Sequence, residues 1–148
     1  MKRVAIQADD FDISAELAAL EALGGGGVAS FTGIVRGEEG LVALELEHYP
    51  AMTQRQAERI AEEAMARWPL LGLSIIHRHG RLQPGERIVF VAAAAAHRAA
   101  ALEACAYLID RLKTDAPFWK RERRGDTATW VEARAADHAA AARWSASD

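Results

Sequence analysis

The chain has 148 residues, 51% of them hydrophobic and 26% charged, the proportions of a globular domain with its own core and not of a disordered or fibrous chain. Its formal net charge of -3 excludes the global basic field that drives nucleic-acid binding by counterion release, so any anion site must be local. Cys105 stands alone, which excludes an internal disulfide and a cysteine zinc cluster and suits a reducing compartment.

From the N-terminus, MKRVAIQADDFD turns acidic before any long apolar run develops, unlike a signal peptide. No window approaches the roughly 18 apolar residues of a membrane span. The expected setting is cytoplasmic. Lys2 to Ala8 alternate, with Val4 and Ile6 on one face, and read as a strand. Ile13, Leu17, Leu20 and Leu23 recur at helical spacing behind a cap at Asp12 or Ser14, and the glycines at 24–27 end that helix. No Lys-Ser or Lys-Thr follows the glycines, so they read as a flexible turn and not a phosphate loop. VASFTGIV (28–35) and LVALELEH (41–48) read as strands on either side of RGEEG. Thr53 and Gln56 stand in capping-box spacing before an apolar stripe of Ala57, Ile60, Ala61, Ala64, Met65 and Trp68, a helix that Pro69 stops.

LGLSIIHRHG and RIVFVAAAA are strands joined by a turn at Pro84 and Gly85, the second apolar throughout, as a central strand covered on both faces would be. A helix follows from about His97 to Lys113; Cys105 falls on its apolar stripe, where a thiol is a small buried hydrophobe. LKTDAPFWKRE (112–122) sets Lys113 and Lys120 on either side of Pro117, Phe118 and Trp119. It reads as an irregular segment in which Pro117 ends the helix and the two aromatics anchor a turn. TATWVEAR is a last strand, and the stretch from about residue 137 is a short helix or a frayed end. With no repeat or linker, this order predicts one α+β domain over 1–148, with a mixed, mostly antiparallel sheet and flanking helices.

His77 and His79 would share a strand face, a spacing that metal sites use. No carboxylate pair or cysteine completes a ligand set and HExxH is absent, so neither a metal nor a cofactor is expected. The absence of GxSxG leaves a serine hydrolase unsupported. The cations carry more. Arg36 ends a strand at a glycine-containing loop, and His97-Arg98 open a helix whose free N–H groups and dipole favour anions. A guanidinium and an imidazole added there suit a phosphate or a carboxylate. Lys113 leaves the far end of that helix, roughly 24 Å away at 1.5 Å per residue. Either the two clusters serve different parts of an extended ligand, or a second subunit supplies one of them; spacing alone also allows solvated ends and surface ion pairs.

FTGIVR (31–36), LELEHYPAMT (44–53), RHGRLQPGE (78–86), AHR (96–98), DRLKTDAPFWKRE (110–122) and WVEAR (130–134) together resemble the large, catalytic subunit family of molybdopterin synthase. The match runs in order from about Phe31 to Trp144. The resemblance implies an α/β hammerhead fold and a sulfurtransferase that converts cyclic pyranopterin monophosphate to the dithiolene of molybdopterin. Two sulfurs would come from the C-terminal Gly-Gly thiocarboxylate of a small ubiquitin-like partner, in a heterotetramer built on a homodimer of large subunits. Lys113 and Lys120 match the family's catalytic pair, and Arg36, His97 and Arg98 its substrate-binding positions. Arg134 matches a basic residue offered across the dimer, and Arg121 and Glu122 are expected to shape the pocket. Two departures stand out. GEEGLVAL, after Arg36, is shorter and more acidic than the family's loop, and Ala51 replaces the usual glycine, which makes a positive φ costly there.

The implied chemistry suits cations: the donor is an anion, the pterin carries a phosphate, and attack on carbon develops further negative charge. Lys113 is expected nearest the thiocarboxylate and Lys120 beside the pterin. Burial near Phe118 and Trp119 would lower one lysine's pKa toward neutrality. The rival reading is a non-catalytic module that holds a phosphorylated small molecule, or a partner's tail, through the same cations.

Overall fold

The computed structural model describes residues 1–131 and 135–145. Its elements run β1 (Lys2–Gln7), α1 (Ile13–Glu21), β2 (Gly27–Ile34), β3 (Ala43–His48), α2 (Pro50–Arg67), β4 (Leu70–Arg78), β5 (Gly80–Leu82), β6 (Arg87–Ala95), α3 (Arg98–Asp115), β7 (Phe118–Arg124), β8 (Thr127–Val131) and α4 (Ala135–Ala142). The class is α+β, but the strands divide into two four-stranded sheets, ordered β1-β4-β6-β2 and β5-β3-β7-β8. Only β1 and β4 pair in parallel among the described strands. No helix of the described residues is long and apolar enough to cross a membrane.

The first sheet is covered on both faces, which explains the unbroken apolar run of β6. On one side α2 and α3 bring Ile60, Ala64 and Leu108 against Leu73, Ile75 and Val91. On the other, Phe11 and Leu20 cover Ile76 and Phe90. Each such large side chain contributes about 1.5–3 kcal/mol by leaving water. A third cluster, Val35, Leu46 and Leu82, joins the two sheets. It sits directly beneath the loop that carries Arg36.

Several local expectations change for physical reasons. The cap of α1 is Asp12, whose carboxylate accepts from the Ala15 N–H at 3.2 Å. The capping-box expectation for Thr53 fails: α2 begins a turn earlier, at Pro50, where a missing N–H costs nothing. Thr53 is instead fully buried; its hydroxyl donates to the Tyr49 carbonyl at 2.9 Å and accepts from His48 Nδ1 at 3.2 Å. Ala51 lies inside that helix, and no described non-glycine residue has a positive φ, so the cost expected there does not arise. The glycine run is a place of close approach more than a flexible turn. A Cβ on Gly25 would lie 2.5 Å from the Ala95 carbonyl oxygen, and the Gly26 N–H donates to that same oxygen at 3.1 Å.

Two segments that read as single units are broken by one residue each. LGLSIIHRHG splits at His79: Gly80, at φ 95°, turns the chain from β4 in the first sheet to β5 in the second. At the other break, Ala116 is extended (φ -79°, ψ 128°) because a proline follows it, which ends α3. β7 then begins at once, so the expected irregular segment is a strand. C-terminal α4 packs on α3, with Trp144 edge-on to Tyr107 at 5.5 Å and Arg143 paired to Asp110 at 2.7 Å.

Candidate active site

β7 pairs with β3 so that Lys120 stands opposite Leu46 and Glu122 opposite Leu44. Opposed residues share a face, so these four side chains point to one side of the second sheet while Trp119, Arg121 and Arg123 point to the other. On the first side a pocket of about 410 Å³ opens. Lys113 enters it from the last turn of α3, Lys120 and Glu122 from β7, and Arg36 from the loop after β2, over a floor that includes Val35 and Phe118. One turn of backbone thus returns Lys120 to Lys113. The proline stops the helix, and the strand that follows runs back past it.

The pocket also holds acids. Glu38 accepts from Arg36 Nε at 3.2 Å and from Arg124 at 2.6 Å, and Arg124 bridges on to Glu122 at 2.6 Å. Asp137 of α4 lines the same space. Partly exposed pairs of this kind contribute about 0–1 kcal/mol each, so an entering anion can displace Glu38 from Arg36. Position along the chain gave no sign of Asp137; Glu38 was visible only as acidity in a loop.

Phe118 forms the wall between the lysines and the interior. Its ring stacks on His77 at 3.8 Å and 16°, and the His48 ring lies 5.6 Å from it at 28°. His77 is buried, with Nδ1 2.7 Å from the Arg78 carbonyl. Burial lowers its pKa to about 3; the Arg78 carbonyl acts against that, while Lys120, Lys113 and His48 add to it. Burial, then the field of His79, lowers His48 as well. Among the described residues no group of three His, Cys, Asp or Glu is placed to hold a metal ion. His77 and His79 serve ring packing around Phe118 and His48, whose ring lies 4.4 Å from that of His79.

Other expected site residues lie elsewhere. Arg121 faces away from the pocket, donating to Glu45 at 3.2 Å and lying over the Trp130 ring at 5.1 Å. Its alternation with Lys120 becomes visible once 118–124 is known to be a strand. Trp119 is exposed on that outer face, edge-on to Tyr49 at 4.7 Å, and does not anchor a turn. His97 caps α3 and Arg98 begins it, both exposed beside Gly27 at the opposite end from Lys113. Within one chain they do not join the lysine pocket. Arg134 lies outside the described residues. Cys105 is buried 3.9 Å from the Val91 carbonyl, and burial pushes its thiol up to about 11, so it supplies no thiolate near neutral pH.

An α+β scaffold that sets two lysines and an arginine around an open pocket, with its sole thiol sealed in the core, defines a class of protein whose pocket offers cations to a ligand. Known proteins narrow that class. The family model described as MoaE protein matches residues 6–115. A molybdopterin synthase catalytic subunit from Mesorhizobium japonicum is 55% identical over 149 aligned residues, spanning 97% of this chain and 94% of that protein. The molybdopterin biosynthesis MoaE protein from Burkholderia ambifaria superposes with a TM-score of 0.84 at 50% identity, over 98% of this chain and 99% of that one. A chain from the protein-protein complex of subunits 1 and 2 of molybdopterin-converting factor from Helicobacter pylori has a TM-score of 0.73 over 90% of this chain and 91% of that one. At 23% identity it shares the fold alone. This chain belongs to the MoaE protein family.

Proposed function

We propose that the protein is the catalytic subunit of a molybdopterin synthase, a cytoplasmic sulfurtransferase of molybdenum-cofactor biosynthesis. Two sulfurs pass from the C-terminal thiocarboxylate of a small ubiquitin-like partner to cyclic pyranopterin monophosphate, giving the dithiolene of molybdopterin. The observation that carries this reading is the meeting of Lys113, Lys120 and Arg36 in one pocket, from a helix end, a strand and a loop. The sealed Cys105 adds to it, since sulfur must then come from outside the chain.

In this reading the partner's C-terminal tail enters along the pocket and presents its anionic sulfur to Lys113, while Lys120 faces the pterin carbon under attack. Ammonium groups already in place stabilise the charge that develops without reorganising at the moment of reaction. Arg36 exchanges Glu38 for an anionic group of the substrate. Glu122 holds Arg124, and Arg121 acts at one remove by pinning β7 to β3 through Glu45. His97 and Arg98 complete the pocket of a second copy within a homodimer, which resolves their distance from Lys113, and the family resemblance assigns Arg134 to the same shared pocket.

The test uses thiocarboxylated partner and cyclic pyranopterin monophosphate, with dithiolene product as the readout. Lys113→Ala and Lys120→Ala are each expected to lower kcat by about 100- to 1000-fold. Binding of both ligands without turnover by the unmodified protein would instead mark a non-catalytic module.

A further inference from the structure

His77 is a buried titratable ring beside the lysine pair that the sulfur-transfer chemistry leaves unused. Its Nδ1 is 2.7 Å from the Arg78 carbonyl. A carbonyl oxygen only accepts, so Nδ1 carries the proton, and in the neutral ring Nε2 keeps a lone pair. The plane of the ring is fixed by its stack on Phe118. A cavity of about 40 Å³ lies between His77, Lys113 and Lys120, with Ile109, Leu112 and Ala116 among its walls. It has room for about one or two waters, and its polar groups are two ammonium donors and one imidazole acceptor.

The groups whose charge reaches His77 come from each neighbouring element: Lys120 on β7, Lys113 on α3 and His48 on β3, with the Arg78 carbonyl on its own strand. All three side chains add to burial in opposing its protonation, which favours the neutral ring. Lysine is a point charge on a flexible stem with three rotatable donors, and nothing in its own geometry selects a direction. A fixed acceptor does.

We propose that His77 is a positioning residue for the lysine pair: its Nε2 accepts a hydrogen bond from a water in the shared cavity that in turn accepts from the ammonium groups, and this fixes how they face the pocket. The inference rests on the sulfurtransferase reading for its effect on turnover, but the contact itself can be tested without turnover.

His77→Phe keeps a ring on Phe118 and removes the acceptor. His77→Gln returns an acceptor oxygen near the position of Nε2. With thiocarboxylated partner and cyclic pyranopterin monophosphate, the Phe variant is expected to lose about 10- to 100-fold in kcat with an unchanged KM, and the Gln variant to recover most of it. In protein labelled with carbon-13 at the lysine ε position, the ε-carbon signals of the lysine pair should move in the Phe variant and return in the Gln variant. Wild-type kcat and lysine ε-carbon signals in a folded Phe variant, or a Gln variant as impaired as the Phe variant, would overturn the assignment. A long-range proton-nitrogen spectrum of the wild type decides it even if the Phe variant does not fold: protonated Nδ1 with a lone pair on Nε2 supports the contact, and the opposite tautomer excludes it. Absence of turnover by the wild type would count against the sulfurtransferase reading instead, with the lysine ε-carbon signals still deciding the role of His77.

Discussion

Cys105 and Lys113 share α3 but meet opposite surroundings: the thiol is sealed against Val91 while the ammonium group opens on the pocket. If sulfur arrives on a partner, Cys105→Ala leaves turnover with thiocarboxylated partner essentially unchanged, at a cost of about 1 kcal/mol in unfolding free energy for the lost packing. A folded but inactive Ala variant would place sulfur on this chain. Glu38 offers a finer measurement. It competes with substrate for Arg36, so Glu38→Gln should lower the KM for the pterin by about two- to fivefold, the factor that an exposed ion pair of up to about 1 kcal/mol allows. A higher KM would mean that Glu38 orders the loop and does not merely occupy Arg36.

At the level of elements, the orientation of α3 depends on its clamp to α2, in which Arg111, held at 2.5 Å by Asp115 of its own helix, pairs with Glu63 at 2.5 Å, and Tyr107 donates to Glu63 at 3.1 Å. Burial raises the Glu63 pKa, but the hydrogen bonds and charge of Arg111, with Tyr107 and Arg59, more than offset it and hold the carboxyl below its ordinary value of 4.5. A depressed folded-state pKa contributes stability that is present above the unfolded value and is lost as pH falls through the folded one. The urea midpoint of Glu63→Gln should therefore lie below that of the wild type near neutral pH, and the gap should narrow as the pH falls below the ordinary carboxyl value of 4.5. A gap independent of pH would assign the effect to packing. The same elements show what sequence alone could reveal. Burial on one stripe made α2 and α3 legible, and burial on both faces made β6 legible. β7 was hidden because FWKRERR is charged on both faces: Lys120 and Glu122 look into the pocket, and Arg121 and Arg123 pair with Glu45. With no hydrophobic alternation to read, neither the strand nor the opposed directions of Lys120 and Arg121 were apparent. The lysines stood out by type and spacing, but only the family resemblance offered them a role; Asp137 and the place of His77 needed the tertiary fold.

For the whole molecule, the decisive geometry is that of α3, whose 18 residues hold Arg98 and Lys113 near opposite ends. At 1.5 Å per residue they stand about 22 Å apart along the axis, more than a single pterin phosphate spans. If all these residues serve one reaction, each pocket must be built from two chains, and a two-fold dimer does this symmetrically because each copy gives what it receives. Lys113→Ala then damages the pocket in its own chain, while Arg98→Ala damages the pocket of the neighbouring chain. In a mixed dimer both lesions fall on one pocket and leave the other intact. Equal amounts of the two inactive variants, unfolded and refolded together, should thus recover about a quarter of wild-type turnover, since half the dimers are mixed and each has one working site of two. Refolding each variant alone should recover none. If each chain instead uses its own Arg98, the mixture stays as inactive as its parts, and the basic end of α3 belongs to a separate anion site.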